Sequence, residues 1–429
     1  MIDFLKKIYE PEIKTKIIVF FIIFTPVIDM IYGGNQYILE INFPIHQGIR
    51  FIFALYFAFD VKDKLNKIIL SIVSGLLIVG TLVHYYQGYL LSPTENLGYI
   101  LKIINLTAIF LSFYENIRNK LLTVEGISKY ITWSTLLISS NVIISNLFRI
   151  GLETYTKNLA RTGYKGLFAT HNSITATLLL TLPIVFFYSI KSKKKFAFII
   201  FIFNNIALIL IGTKAGVLGS VWVILFSIIA LIVYYKKYIT RKHVIRISII
   251  SAIILLIGAL LLGDRFSKFY QEQVRIFNQH PKDRLFGYVV SNRDLQVFYV
   301  KRYIRVNNDF NPAYTFGFGY SKANKIINDA KHHFKSIEMD FYGLYYYSGL
   351  WSALLIFGAI IAIFIINLIR FKGQKDKFMA YSFMFSIFLA LFHSTLGGHV
   401  IYEAISGTYF GIVLAIGLLL CKKENLIYK

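Results

Sequence analysis

Residues 341–369 read FYGLYYYSGLWSALLIFGAIIAIFIINLI, with no charged side chain between Phe341 and Ile369. A helix needs roughly 20 mainly apolar residues to cross about 30 Å of hydrocarbon. This stretch therefore spans a bilayer unaided. Working outward from it, the same reading gives spans at 17–33, 43–59, 68–85, 97–114, 130–148, 171–190, 196–212, 216–235, 244–262, 341–369, 378–395 and 400–421. The sequence thus predicts an all-α polytopic membrane protein with about 12 transmembrane helices. Residues 1–429 form a single integral membrane domain. Span 43–59 is interrupted by Arg50. Spans 196–212 and 216–235 are joined only by Thr213, Lys214 and Ala215, either a tight turn or a broken helix.

Composition agrees. The chain is 56% apolar and 16% charged, against about 25% charged in soluble domains. The lone Cys421 excludes a disulfide scaffold and a cysteine metal cluster. The net charge of +24 would suggest a nucleic-acid partner in a soluble chain. Here most cations sit in short loops between apolar runs, so no nucleic-acid partner is expected. No cleavage site follows the first apolar run, which is read as a retained helix.

Charge placement orients the chain. Segments 1–16, 60–67, 115–129, 191–195, 236–246, 370–377 and 422–429 together hold 26 Lys and Arg residues, whereas 34–42, 86–96 and 394–399 hold none. Positive charge marks cytoplasmic loops, so both termini are expected in the cytoplasm. Two outer segments depart from the pattern. The short basic outer loop 149–170 holds Arg149, Lys157, Arg161 and Lys165. The large basic extracytoplasmic loop 263–336 holds 13 Lys and Arg against six acids. A loop this long without structure is unusual. Short helices are expected near 265–279, 291–305 and 321–333.

Four stretches carry candidate chemistry. In LARTGYKGLFATHN, residues 159–172, Arg161, Lys165 and His171 stand at the mouth of the sixth span, and Gly163 and Gly166 permit a tight turn. A guanidinium can grip phosphate through a fixed fork of donors; the plainer role is anchoring to lipid headgroups, and for His171 helix-end packing. In GTKAG, residues 212–216, Lys214 either neutralises an anion or marks a turn. SNRD, residues 291–294, supplies Arg293, whose plainer reading is a solvated basic face. FGFGYS, residues 316–321, predicts a bend between loop helices at Gly317 and Gly319. It is followed by His332, His333, Glu338 and Asp340 at the mouth of the tenth span, a group able to supply a general base or orient a hydroxyl. Their spacing matches no metal motif. P-loop, GxGxxG, HExxH and GxSxG patterns are all lacking. Within the spans, Asp29, Arg50, His84, His393, His399 and Glu403 stand out, and pairing Asp29 with Arg50 would lower the cost of burying either.

The order of these elements resembles the bacterial O-antigen ligase and polysaccharide polymerase superfamily of membrane glycosyltransferases. The resemblance rests on Arg161 and Gly163 before a span bearing Pro183, on Thr213-Lys214-Ala215-Gly216, on Arg293 followed by Gly317-Phe318-Gly319, and on Gly349 early in the next span. It covers about residues 140–369. It departs in two places: Lys214 stands for an arginine, and Glu338 occupies the position of a His-Asn pair. Both departures favour a polymerase of capsule or another surface glycan over a ligase of the same superfamily.

The resemblance implies a polyprenyl (undecaprenyl) pyrophosphate-linked oligosaccharide donor, a lipid-linked sugar acceptor, no cofactor and no metal, and inversion at the anomeric carbon. Arg161, Arg293, Lys214, Lys165, Asp340 and His171 would bind substrate. Glu338, with His333 second, would act on the acceptor hydroxyl, while Arg293 and Arg161 stabilise the departing pyrophosphate. Membrane lipids, a flippase and a chain-length regulator are the implied partners. The implied location is the bacterial cytoplasmic membrane, with the active site on the outer face. A transporter or flippase for lipid-linked sugars is the competing reading.

Overall fold

The computed structural model describes residues 9–40, 45–155, 163–234, isolated positions between 267 and 287, and residues 290–309, 315–330 and 336–421. The expected span 244–262, and Arg161, His332 and His333, lie outside the described residues.

The chain is an all-α polytopic membrane protein. Its helices are α1 (Pro11–Ile38), α2 (Ile45–Asp60), α3 (Lys64–Tyr86), α4 (Pro93–Arg118), α5 (Val124–Phe148), α6 (His171–Ser192), α7 (Lys195–Leu210), α8 (Lys214–Tyr234), α9 (Arg293–Asn307), α10 (Tyr320–Ala330), α11 (Asp340–Arg370), α12 (Lys377–Leu396) and α13 (Ala404–Cys421). A two-stranded antiparallel ribbon, β1 (Leu152–Glu153) with β2 (Tyr164–Gly166), lies between α5 and α6. Among the described residues, nine helices are long and apolar enough to cross a membrane. Helices α2 and α7, at 16 residues each, coincide with two further expected spans.

Helices α6 and α13 are enclosed on nearly all sides, while α3 lies at the periphery. Lipid tails are as apolar as leucine, so helices in a bilayer associate through close packing, favoured by small residues spaced four apart. Gly407 and Gly411 of α13 have this spacing; a Cβ at Gly411 would lie 3.0 Å from Leu106 O, so α13 lies close to α4. At the end where α2 finishes, Asp60 pairs with Lys14 at 2.6 Å and accepts from Ser112 and Asn116. Glu115 accepts from the backbone of Lys62 and Asp63. These carboxylates serve the fold.

The join left open in the sequence is settled. Helix α7 ends at Leu210, Gly212 takes φ +74°, and Thr213 Oγ1 accepts from Gly216 N at 2.9 Å to cap α8. GTKAG is thus a tight turn. The last span was expected from residue 400 but its helix begins at Ala404. A turn precedes it, in which Asp340 accepts from the N–H groups of His399, Val400 and Ile401.

The large loop packs into the bundle at its other end. Gly349 interrupts α11 at φ 83°, ψ 174°. The interruption leaves Tyr346 O and Tyr347 O free to accept from Phe318 N at 2.8 Å and Gly319 N at 3.1 Å. A Cβ at Gly349 would lie 1.9 Å from Thr315 O, so only glycine permits this approach. Gly317 and Gly319 both take positive φ, as the expected bend requires. His84 Nε2 lies 2.9 Å from Phe316 O, and Asn96 accepts from Ser321 N, tying the same segment to α3 and α4.

Candidate functional site

Arg293 and Glu338 meet. Arg293 opens α9 directly after Asn292, which is in the left-handed conformation. Its Nε donates to Glu338 Oε2 at 2.6 Å. Glu338 is held by its backbone: its N–H donates to Gln296 Oε1 at 2.9 Å, and its carbonyl accepts from Tyr402 Oη. The neighbouring Ile337 N–H donates to Tyr347 Oη, and Ile337 O accepts from Tyr402 Oη, both at 2.6 Å. The carboxylate is thereby aimed while its side chain keeps 30% exposure. Burial pushes this carboxyl up, but contact with His399 and the Arg293 charge outweigh it and hold it at about 2.

From Glu338 a line of charges continues through His399 and Glu403 to Lys102. His399 Nε2 lies 3.8 Å from Glu338 Oε2, and its Nδ1 lies 3.4 Å from Glu403 Oε1. Lys102 Nζ, on α4, is 3.8 Å from the same Glu403 oxygen. Burial alone would lower the His399 pKa; Glu338 and Glu403 raise it to about 9. Glu403 is itself held at about 2, since Lys102 and His399 overcome the effect of burial. Arg50 and Asp29 pair at 2.7 Å, as their opposite charge within adjacent spans led us to expect.

Of the other expected binding residues, His171 stands nearest this group. His171 starts α6, packs on the Tyr155 ring at 5.1 Å, and is electrostatically coupled to Lys165, His399, Glu338 and Arg293. Lys165, on β2, donates to Ala169 O at 2.7 Å; burial lowers its pKa. Lys214 opens α8. Its turn meets the glycine-bearing ribbon, since a Cβ at Gly163 would lie 2.7 Å from Leu210 O. Gly163 is therefore adjacent to the turn that precedes Lys214. Residues that the site expectation left out are His399, Glu403, Lys102 and Gln296. His399 and Glu403 were visible as polar residues in an apolar stretch, but their convergence on Glu338 needs the turn at 397–403.

Asp340, expected to bind substrate, is fully buried. Its carboxylate accepts from Ser394 Oγ at 2.7 Å and from the N–H groups of His399, Val400 and Ile401 at 2.9–3.1 Å. It fixes the turn that carries His399. Removing it leaves buried donors unsatisfied, each at a cost of about 1–3 kcal/mol. Asp340→Ala is expected to lower the melting temperature in detergent strongly, whereas Arg293→Ala leaves it near that of the unaltered protein. Equal melting of both would refute the anchoring role. Among the described residues, no group of three His, Cys, Asp or Glu side chains is arranged to hold a metal ion.

No curated protein matches the chain. A family model described as O-antigen ligase like membrane protein matches residues 11–284. That match takes in Arg161, Lys165, His171 and Lys214 and stops before Arg293 and Glu338. Since it spans more than half of the sequence, the chain belongs to the O-antigen ligase like family of membrane proteins, a family of membrane glycan transfer acting on lipid-linked glycans.

Proposed function

We propose that the protein is a surface-polysaccharide polymerase that acts on the outer face of the cytoplasmic membrane. It would transfer a glycan from a polyprenyl-pyrophosphate donor to the sugar hydroxyl of a lipid-linked acceptor. The observation that supports this most is the Arg293–Glu338 contact at 2.6 Å. It sets an anion-gripping cation beside a hydroxyl-orienting carboxylate at one end of an apolar bundle. The donor combines an apolar tail with an anionic head, and the apolar helices and their basic rim suit both parts.

In this mechanism Arg293, with Arg161, Lys214 and Lys165, holds the pyrophosphate, and His171 lines the mouth. The acceptor oxygen bonds to the anomeric carbon as the bond from that carbon to the pyrophosphate oxygen breaks. The electron pair leaves with the pyrophosphate, and attack from the opposite face inverts the carbon. Cations placed where charge develops lower the barrier. Glu338, held at about 2 by His399 and Arg293, is a weak base. It orients the hydroxyl by accepting its hydrogen bond, and the proton passes to a freed pyrophosphate oxygen, the stronger base. His333 is the second candidate to assist the hydroxyl.

The test is reconstitution of the purified chain with a defined polyprenyl-pyrophosphate repeat unit. Longer glycan on one lipid supports polymerisation. Transfer only to a different acceptor would establish a ligase, and unchanged glycan crossing the bilayer would establish a transporter.

A pH prediction follows from His399. Its pKa is raised above the ordinary 6.5 to about 9. The charge therefore contributes stability fully below pH about 6.5 and loses that contribution as pH rises through about 9. Transfer and melting temperature are both expected to fall across that alkaline range, and His399→Gln to remove the inflection in each. An unchanged alkaline limb in the variant would assign it to another group.

A further inference from the structure

A second basic recess lies between α2 and α4, with Ala404 at its edge. It is an open hollow of about 470 Å³ whose walls include His46, Arg50, Phe51, Lys102 and Asn105. Arg50 is 7% exposed. Its Nη2 faces Asp29, but Nε and Nη1 have no hydrogen-bond partner among the described residues. His46 Nδ1 is buried and equally without one. A guanidinium in an apolar setting with unmet donors is costly, and an anion seated in the recess would meet them. The line from Arg50 to Arg293 alternates in sign: Arg50 meets Asp29, Lys102 meets Glu403, and His399 stands between Glu403 and Glu338, which meets Arg293.

The surroundings say what kind of anion. Phe51, in the recess wall, is exposed, as are Leu55 one turn further along α2 and Leu97 next to the wall residue Gly98 on α4. In a membrane protein such a surface faces lipid chains. The occupant is therefore an amphiphile with an anionic head and an apolar tail. We propose that the Arg50–Lys102 recess binds the phosphate head of a second lipid-linked substrate, the acceptor, separately from the donor anion at Arg293. This assignment rests on the polymerase reading, which requires two lipid-linked glycans at once. Glu403 and His399 bridge the two anion sites, so each lipid head would stand at one end of a continuous charged line, with Glu338 beside the donor end.

The experiment uses the full chain in nanodiscs and counts bound undecaprenyl phosphate by native mass spectrometry, with no transfer required. Two variants are compared, Lys102→Met and the charge-neutral double variant Asp29→Asn with Arg50→Gln, the latter avoiding a stranded carboxylate. The unaltered chain is expected to bind two lipids and each variant one, with the second affinity reduced about tenfold or more, the loss of roughly 1.4 kcal/mol or more. In the transfer assay the acceptor KM rises while the donor KM holds. Retention of both lipids by both variants would overturn the site. Displacement by inorganic phosphate as readily as by undecaprenyl phosphate would make it a free-anion site and overturn the lipid assignment. Equal competition by phosphatidylglycerol, with acceptor KM unchanged, would make it a bulk-lipid contact and overturn the substrate assignment. If the unaltered chain elongates no glycan, the polymerase reading fails and the acceptor assignment with it, while the binding count alone decides whether the recess holds a lipid phosphate.

Discussion

Arg293→Ala is expected to reduce glycan transfer by about 10²–10³-fold, the usual effect of removing one donor aimed at developing negative charge. The size of the loss follows from position. Arg293 is 16% exposed on its side chain, so its charge acts in a partly desolvated setting where screening is weak. The fold does not depend on it. Helix α9 packs through Val297, Val300 and Ile304, all buried. Glu338 without Arg293 still has His399 at 3.8 Å and is not left as a bare carboxylate. Arg293→Lys keeps the charge but not the fork, and should recover only part of the rate. The check is initial transfer rate in reconstituted vesicles, with melting temperature measured on the same samples. Normal transfer by well-folded Arg293→Ala would remove this residue from the pyrophosphate site. Glu338→Gln provides the contrast. If Glu338 orients the acceptor, kcat falls and the donor KM does not rise.

The fold was legible because the bilayer imposes a simple rule. Long apolar runs such as 341–369 have one stable use, and charges between them mark the turns. Helix ends were less legible: the span expected from 68 begins at Lys64, where Asp63 accepts from backbone N–H groups of the first turn. The last helix begins at Ala404, not at 400, after a turn held by Asp340, which lies 60 positions from Val400 in sequence. The same distance hid part of the site. Arg293 and Glu338 could be named from local context and resemblance, and they lie in contact. The role of Asp340 could not be read, because a carboxylate beside a span looks the same whether it meets a ligand or four protein donors. Lys102 lies within an apolar span as a single cation, and nothing in its neighbourhood points to Glu403. Asp29 with Arg50 was easier, since two opposite charges in adjacent apolar spans have few other ways to be accommodated.

Gly398→Ala is expected to damage both stability and transfer, and the pairing of the two effects tests how the site is built. Gly398 takes φ +69°, a region costly for any residue with a Cβ, and a Cβ there would lie 1.3 Å from Glu338 O. The carbonyl it would strike belongs to the residue whose carboxylate meets Arg293. Its own carbonyl accepts from His393 Nδ1 at 2.9 Å, so the turn cannot simply swing aside. Left-handed strain and overpacking together amount to a destabilisation on the order of 3 kcal/mol. A lowered melting temperature alone would fit any tight turn. The specific expectation is that Gly398→Ala, assayed well below its melting temperature, still transfers at least tenfold more slowly, the equivalent of about 1.4 kcal/mol in the barrier. Displacing Glu338 O moves the carboxylate relative to Arg293 and His399, and misplacement by about 1 Å is enough to cost that much. Gly358→Ala is the control, since a Cβ there meets nothing within 4 Å, and it should change neither quantity. If Gly398→Ala melts early yet transfers at the normal rate in the cold, the 397–403 turn supports the bundle but does not set the position of Glu338.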